Sequence, residues 1–211
     1  MNTKNKTLPI ILIITLFSLA LIHPIQAQTN RAGIKGGLNA SNLYINNVTD
    51  ENARLGVNVG VFGQILSSEV FALQTELLFS TKGSRDQYTG PFNQEIKYNL
   101  NYIDLPVLAV FKIGEAVEIH AGGYASYLLS ANISYKGALA NGVDEIDKDN
   151  LKSYDYGLVA GLGVTFGSTQ FGARYNYGLV QLADSNSARS LIGDAKNSCA
   201  QLYIAFNVRS N

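Results

Sequence analysis

The sequence predicts an all-β protein, an eight-stranded antiparallel up-and-down transmembrane β-barrel. Three observations predict it. Apolar and polar residues alternate with period two in eight stretches. Short and long connections alternate between those stretches. Only 15% of the 211 residues are charged, against about 25% in ordinary soluble domains, so the chain lacks the material for a solvated outer face.

The first stretch sets Ile34 and Leu38 against Lys35 and Asn39. The second places Leu55, Val57, Val59, Val61 and Ile65 on one face, with Arg54, Gly56, Asn58, Gly60 and Gln64 opposite. The third has Phe71, Leu73, Leu77 and Phe79 against Gln74, Glu76 and Ser80. In the fourth, Ile103, Leu105, Val107, Ala109 and Phe111 oppose Tyr102, Asp104 and Pro106, while Leu108 and Val110 interrupt the polar face. The fifth carries Val117, Ile119, Ala121, Ala125, Tyr127 and Leu129 against Glu118, His120, Gly122 and Ser126. The sixth runs from Tyr154 to Phe166, with Asp155, Gly157, Gly161 and Gly163 on its polar side. The seventh sets Phe171, Ala173, Tyr175 and Tyr177 against Gln170, Gly172, Arg174 and Asn176. The eighth sets Leu202, Ile204, Phe206 and Val208 against Gln201, Tyr203 and Asn207. Strict alternation over such lengths is the signature of strands with one apolar face.

Short links lie around Ser67-Ser68-Glu69, Gly114-Glu115 and Gly167-Ser168-Thr169. The other four, expected at about residues 41–53, 82–96, 131–152 and 181–197, are long and polar. Outer-membrane barrels follow this rule, with short periplasmic turns and longer extracellular loops. A lipocalin-like barrel or a two-sheet sandwich would also alternate. The first would turn a Lys- and Glu-rich face to water, whereas the polar face here is mostly Gly, Ser, Asn and Gln with isolated charges. The second would not impose regular long and short loops. The apolar face carries no charge, as hydrocarbon requires, because Arg or Lys at mid-bilayer costs about 2–4 kcal/mol. Tyr127, Tyr154, Tyr156, Tyr175 and Tyr177 gather at the loop-side ends, where a ring with a wet hydroxyl suits the membrane interface.

Residues 1–27 read as an export signal and residues 28–211 as the barrel domain. Lys4 and Lys6 precede the apolar run Leu8–Ile22, which is shorter than the ~20 residues of a spanning helix, and Ala27 offers a cleavage site. Without Lys4 and Lys6, 14 basic residues face 16 acidic ones (16 − 2 against 16). No basic stripe exists to neutralise phosphates, so nucleic acid is excluded as a partner. The single cysteine, Cys199, excludes an internal disulfide and a multi-cysteine metal site.

Several segments carry a family resemblance: Gly33-Ile34-Lys35-Gly36-Gly37-Leu38-Asn39-Ala40-Ser41, Leu73 to Gly83, Tyr102-Ile103-Asp104-Leu105-Pro106-Val107-Leu108, and Ala121-Gly122-Gly123-Tyr124 with Tyr127-Leu128-Leu129. Asp155-Tyr156-Gly157, Gly161-Leu162-Gly163, Arg174-Tyr175 and Tyr177-Gly178-Leu179 complete the set. Over residues 31–208 the chain resembles the small outer-membrane β-barrel domain of Bacteroidota, the porin-like or PorT-like proteins. The resemblance implies fold and outer-membrane location and little about role. One departure is the C-terminus, which lacks a terminal aromatic and leaves Phe206 as the residue for the assembly machinery to read.

Chemistry-bearing residues are sparse. His120 shares a face with Glu118 and Ser126, but Ser126 lies about 20 Å along the same strand at ~3.3 Å per residue, beyond reach of a nucleophile–base pair. No catalytic, cofactor-binding or metal residue is therefore assigned, and no cofactor is expected. The polar-face charges are Lys35, Arg54, Glu76, Asp104, Glu118, Asp155 and Arg174. They must pair, since an unpaired buried ion costs several kcal/mol; Glu76 with Arg174 or Lys35 is the natural pairing. Eight strands leave an interior just wide enough for side chains, with Tyr102, Tyr124 and Tyr203 as fillers. The acidic run Asp144–Asn150 offers oxygen ligands for calcium, although an acidic solvated loop needs no ion. The sequons at Asn47 and Asn132 carry little weight.

The expected role is a non-enzymatic outer-membrane barrel whose loops bind an extracellular or envelope protein or support the envelope, with outer-membrane lipid and the barrel assembly machinery as the other partners. Two alternatives remain open: a small-solute porin-like channel, and a lipid-modifying enzyme using His120.

Overall fold

The structure is a computed structural model that describes residues 31–44, 53–88, 93–137, 142–145, 151–184 and 195–208. Residues 1–27, expected to be an export signal, the sequon at Asn47 and most of the acidic run after Glu145 lie outside the described residues. The described residues form nine strands: β1 (Ala32–Tyr44), β2 (Arg54–Ser67), β3 (Phe71–Tyr88), β4 (Gln94–Ile113), β5 (Val117–Gly137), β6 (Gly142–Glu145), β7 (Tyr154–Phe166), β8 (Thr169–Gly178) and β9 (Lys196–Val208). All pairings are antiparallel, in the order β4-β3-β2-β1-β9-β8-β7-β5, and the β4–β5 pairing closes eight strands into a ring. Strand β6 lies outside the ring, paired to the top of β5 from Asn132↔Glu145 to Tyr135↔Gly142. Closure leaves no open edge in hydrocarbon, where each unpaired backbone group would cost several kcal/mol.

The alternation resolves as the sequence predicts, apolar residues out and polar residues in. Ile34, Leu55, Leu158, Leu162, Leu202 and Phe206 are exposed on the outside, while Lys35, Asn58, Glu76, Asp104, His120, Asp155 and Arg174 are buried in the lumen. Leu108 and Val110, the two interruptions on β4, do point inward, where they pack with Ala72, Tyr124 and Val159. They show why that strand's pattern is imperfect: part of the lumen is filled by apolar side chains.

The strand boundaries correct the expected loops. Residues 82–96 are not mainly loop, since β3 continues to Tyr88 and β4 begins at Gln94 in unbroken register, Lys82↔Leu100 to Tyr88↔Gln94. Likewise β5 continues to Gly137. Strands β3, β4 and β5 are 18, 20 and 21 residues long, against 10 for β8 and 13 for β7. One side of the barrel thus rises as a wall at the end opposite the short turns, built of polar residues that pair as strand rather than form loop. Above Asn101 the outward apolar rhythm stops while pairing continues, because the wall has left hydrocarbon. An extra residue on β5, where Asn101↔Ser130 gives way to Tyr102↔Leu128, forms a bulge at Leu129. It moves the inward set of β5 from Tyr124, Ser126 and Leu128 to Ala131.

Gly83 is where this wall needs glycine. Its φ is +138°, and an added Cβ would stand 1.9 Å from the Tyr98 carbonyl oxygen. Arg54 crosses β3 at this point to donate from Nε to Asn99 Oδ1 of β4 at 2.8 Å and from Nη1 to the Lys82 carbonyl at 3.2 Å.

Candidate functional site

Two polar networks and three apolar clusters fill the lumen. In the first network Glu76, with 0% of its surface exposed, stands at the centre. Arg174 grips it with two parallel bonds, Nη1 to Oε2 at 2.8 Å and Nη2 to Oε1 at 2.9 Å. Lys35 Nζ donates to Oε2 at 3.1 Å and Gln74 Nε2 to Oε1 at 2.7 Å. The expected pairing of Glu76 with Arg174 or Lys35 is realised with both at once. The Tyr203 ring supports the cations, with Lys35 Nζ 3.8 Å and the Arg174 guanidinium 5.2 Å from its centroid.

His120 joins this network to Glu118. Its Nδ1 lies 3.2 Å from Arg174 Nη2, which can only donate, so Nδ1 accepts. The ring proton is thereby assigned to Nε2, 3.3 Å from Glu118 Oε2. Glu118 also receives Gln170 Nε2 at 2.7 Å and, at the mouth, Arg31 Nη1 at 3.0 Å. At the same mouth Lys112 Nζ donates to Ser67 Oγ at 2.7 Å. Both nitrogens of His120 are engaged and the residue is 1% exposed. The sequence placed Glu118 beside His120 and Ser126 remote from both, and Ser126 indeed belongs to the other network.

That second network surrounds Lys82. Its Nζ donates to Asp104 Oδ1 at 2.9 Å, which also accepts Ser126 Oγ at 2.5 Å. The rings of Tyr102 and Tyr124 flank the ammonium, with centroids at 5.0 and 4.8 Å. Asp155 Oδ2 accepts Tyr124 OH at 3.1 Å and Asn197 Nδ2 at 2.9 Å. Lys82 was missed by sequence reasoning because it was assigned to a loop. The signal was present: Gln74, Glu76, Leu78, Ser80, Lys82 and Ser84 continue one parity without a break.

Above Lys82 the lumen is stoppered. Leu151, Leu182 and Ala183, from segments that follow β6 and β8, pack with Leu100, Tyr102, Leu128 and Ala131. Backbone bonds hold them in place: Lys152 N donates to Leu182 O at 2.9 Å, and Leu182 N to Ala195 O at 2.9 Å. These residues carry no alternation, so no periodic cue marks them as folding into this end of the barrel. Toward the opposite end Phe62, Tyr203 and Ala205 form the third apolar cluster. Cys199 is free and buried, and no group of three or more His, Cys, Asp or Glu is placed to hold a metal among the described residues.

Outside the hydrocarbon level the wall presents charge. Arg85 pairs with Glu95, and Lys97 Nζ stands 3.3 Å from Glu95 Oε2. Cross-strand register sets Arg85 opposite Lys97, and Glu95 opposite Lys136. Asn132, the second sequon, is a strand residue between Asn99 and Glu145. Of the tyrosines expected at the interface, Tyr154, Tyr156, Tyr175 and Tyr177 are exposed at the loop-side ends, while Tyr127 is half-buried with its ring 5.3 Å from that of Tyr154.

A closed ring of eight strands, apolar outside and ionic inside, defines a transmembrane β-barrel, inverted relative to a soluble protein. The chain belongs to the outer membrane protein beta-barrel domain family, whose model matches residues 26–184. The barrel resides in the outer membrane. Its structure is similar to Ail, the attachment invasion locus protein of Yersinia pestis, at 16% identity and TM-score 0.49, covering 86% of this chain and 100% of that one. It is also similar to Neisserial surface protein A, at 9% identity and TM-score 0.48, covering 86% and 98%. No curated protein matches the chain in sequence.

Proposed function

We propose that this protein is a non-enzymatic surface barrel, a rigid base whose external wall and loops engage an extracellular or envelope partner or brace the envelope. The observation that carries this reading is the asymmetry of the barrel. Its lumen is packed by two ionic networks and closed by the Leu151–Leu182–Ala183 stopper, while β3, β4 and β5 spend their extra length outside the bilayer. Loops and projections on a rigid scaffold are where binding residues concentrate. Orientation follows the rule for such barrels, with the short turns and both chain ends periplasmic. Residues 1–27 act as the export signal, and the assembly machinery reads the last strand through Phe206. Its sequence segments fit the porin-like or PorT-like group of Bacteroidota.

The filled lumen weighs against a solute channel, and the full engagement of His120 weighs against a lipid-modifying enzyme. Both rivals are tested together. Wild-type barrel in planar bilayers is expected to show no stable conductance, and His120→Ala is expected to leave the host lipid A mass spectrum unchanged. A large steady conductance overturns the first statement; an altered lipid A profile overturns the second.

A further inference from the structure

The Lys82 network sets two negative charges against one positive. Asp104 and Asp155 are both buried, and Lys82 is their shared counterion. Arg54, on the neighbouring strand β2, donates to Asn99 and to the Lys82 carbonyl and touches neither carboxylate. The same network is short of donors. Asp104 Oδ1 accepts from Lys82 and Ser126, and Asp155 Oδ2 from Tyr124 and Asn197. Among the described residues nothing donates to Asp104 Oδ2, Asp155 Oδ1 or Asn197 Oδ1, although all three atoms are buried. The Ser80 hydroxyl, 0% exposed, is also without a partner, on the inward row of β3 next to Lys82 and opposite Tyr102. Folded proteins leave few buried polar atoms orphaned, and such atoms mark the place of an ion or a water. Register draws this set together. Asp104, Ser126 and Asp155 lie side by side on β4, β5 and β7. Asn197 of β9 reaches Asp155 at 2.9 Å and the Tyr102 hydroxyl at 3.3 Å, and Tyr102 packs directly under the stopper.

We propose that Asp104 Oδ2, Asp155 Oδ1 and Asn197 Oδ1 bind a small monovalent cation, sodium, beneath the stopper. Charge names the occupant: one positive unit neutralises the network, whereas a divalent ion would reverse the imbalance. Two carboxylate oxygens and an amide oxygen are hard donors, suited to such ions rather than to transition metals. Lys82 stays on Asp104 Oδ1, so ammonium and ion share that carboxylate through different oxygens. The ligands also belong to the stopper's supports. Asp155 follows Leu151 by four positions and Asn197 follows Ala195 by two, and the Ala195 carbonyl holds the Leu182 amide. An ion shared by Asp155, Asn197 and Asp104 ties both stopper segments to β4. The site is independent of any partner on the outer wall, and its failure would leave the surface-barrel reading untouched.

The test is equilibrium urea unfolding in phosphatidylcholine vesicles at one ionic strength, with sodium chloride replaced stepwise by choline chloride. Choline is too bulky for a lumen filled by side chains. Because only the folded barrel holds the ion, each tenfold rise in sodium above half-saturation is expected to raise the folded-to-unfolded ratio about tenfold. Asp155→Asn removes the excess charge, so it is expected to lose this dependence and, in choline alone, to be more stable than wild type. Glu76→Gln, in the other network, is expected to keep the dependence despite its lower stability. Heat-dependent gel mobility checks that each variant is folded. If Asp155→Asn fails to fold, Asn197→Leu carries the same expected loss of sodium dependence. Superimposed wild-type curves in sodium and choline overturn the proposal, as does a sodium dependence that survives in Asp155→Asn or Asn197→Leu.

Discussion

Replacing Glu76 by Ala is the sharpest perturbation of the barrel's interior. Glu76 is wholly buried and accepts from Arg174 twice, from Lys35 and from Gln74. The substitution leaves two cations in the lumen with their anion removed. The nearest other carboxylate in the network, Glu118, is already engaged by Gln170, His120 and Arg31. Breaking a buried ion pair by removing one partner costs about 3–5 kcal/mol, or a factor of roughly 10²–10⁴ in the folded-to-unfolded ratio. The assay is urea unfolding in phosphatidylcholine vesicles, followed by tyrosine fluorescence, since the chain has 12 Tyr and no Trp. Glu76→Gln keeps the volume and one acceptor, so it should fall in the lower part of that range. Replacing the whole triad (Lys35→Met, Glu76→Leu, Arg174→Met) should recover most of the loss, because no charge is then left unpaired. A Glu76→Ala barrel within about 1 kcal/mol of wild type would refute the reasoning. It would mean that water reaches Lys35 and Arg174 and that the network is not a plug.

Three further outcomes follow from packing and placement. Gly172→Val should cost about 1–3 kcal/mol in the same assay, because a Cβ at Gly172 would stand 2.2 Å from the Tyr203 ring, itself held by the ionic network. Leu162 is 56% exposed on the outward face of β7, so Leu162→Arg should lower stability in a bilayer by about 2–4 kcal/mol if it lies near the midplane; a neutral result there would contradict the outward assignment. Cys199 should resist maleimide in the folded barrel and react after boiling in SDS, since it is 1% exposed in the lumen; labelling without heating would show that the stopper is open.

The eight-strand ring was legible because hydrocarbon enforces period two without exceptions: a misplaced charge on the outside is penalised, so the outward positions of β2, β7 and β9 read cleanly. The wall was not legible. Beyond Asn101 both faces meet water or sugar, and residues such as Arg85, Lys97 and Ser134 alternate nothing that hydropathy can detect. Lys82 was lost because the outward residues of β3 stop being apolar after Phe79, although its own row stays buried as far as Ser84. The stopper escaped because Leu151 and Leu182 act as single anchors in irregular chain, where burial depends on how the segment folds back rather than on spacing. Within the lumen, the sequence identified the charged set of the Glu76 network and left its partners open, since register alone decides that Arg174 of β8 reaches Glu76 of β3.

The closing seam has a further meaning. Ala32 of β1 lies opposite Val208 of β9, and pairing runs without a break to Tyr44 and Lys196. The two ends of the described chain are therefore neighbours, and the seam between them resembles the other seven. In a circle so built, first and last are properties of the gene rather than of the object. Joining the ends with a short link and opening the chain at 138–141 would give a permuted order of the same staves. What that reordering would change is the sequence in which strands are delivered: β1 now waits 152 to 176 residues (196 − 44 to 208 − 32) for its second partner, and high sequence separation of this kind slows closure. The native order makes sealing the barrel the last act of assembly, and every earlier stage must keep two raw edges from the lipid.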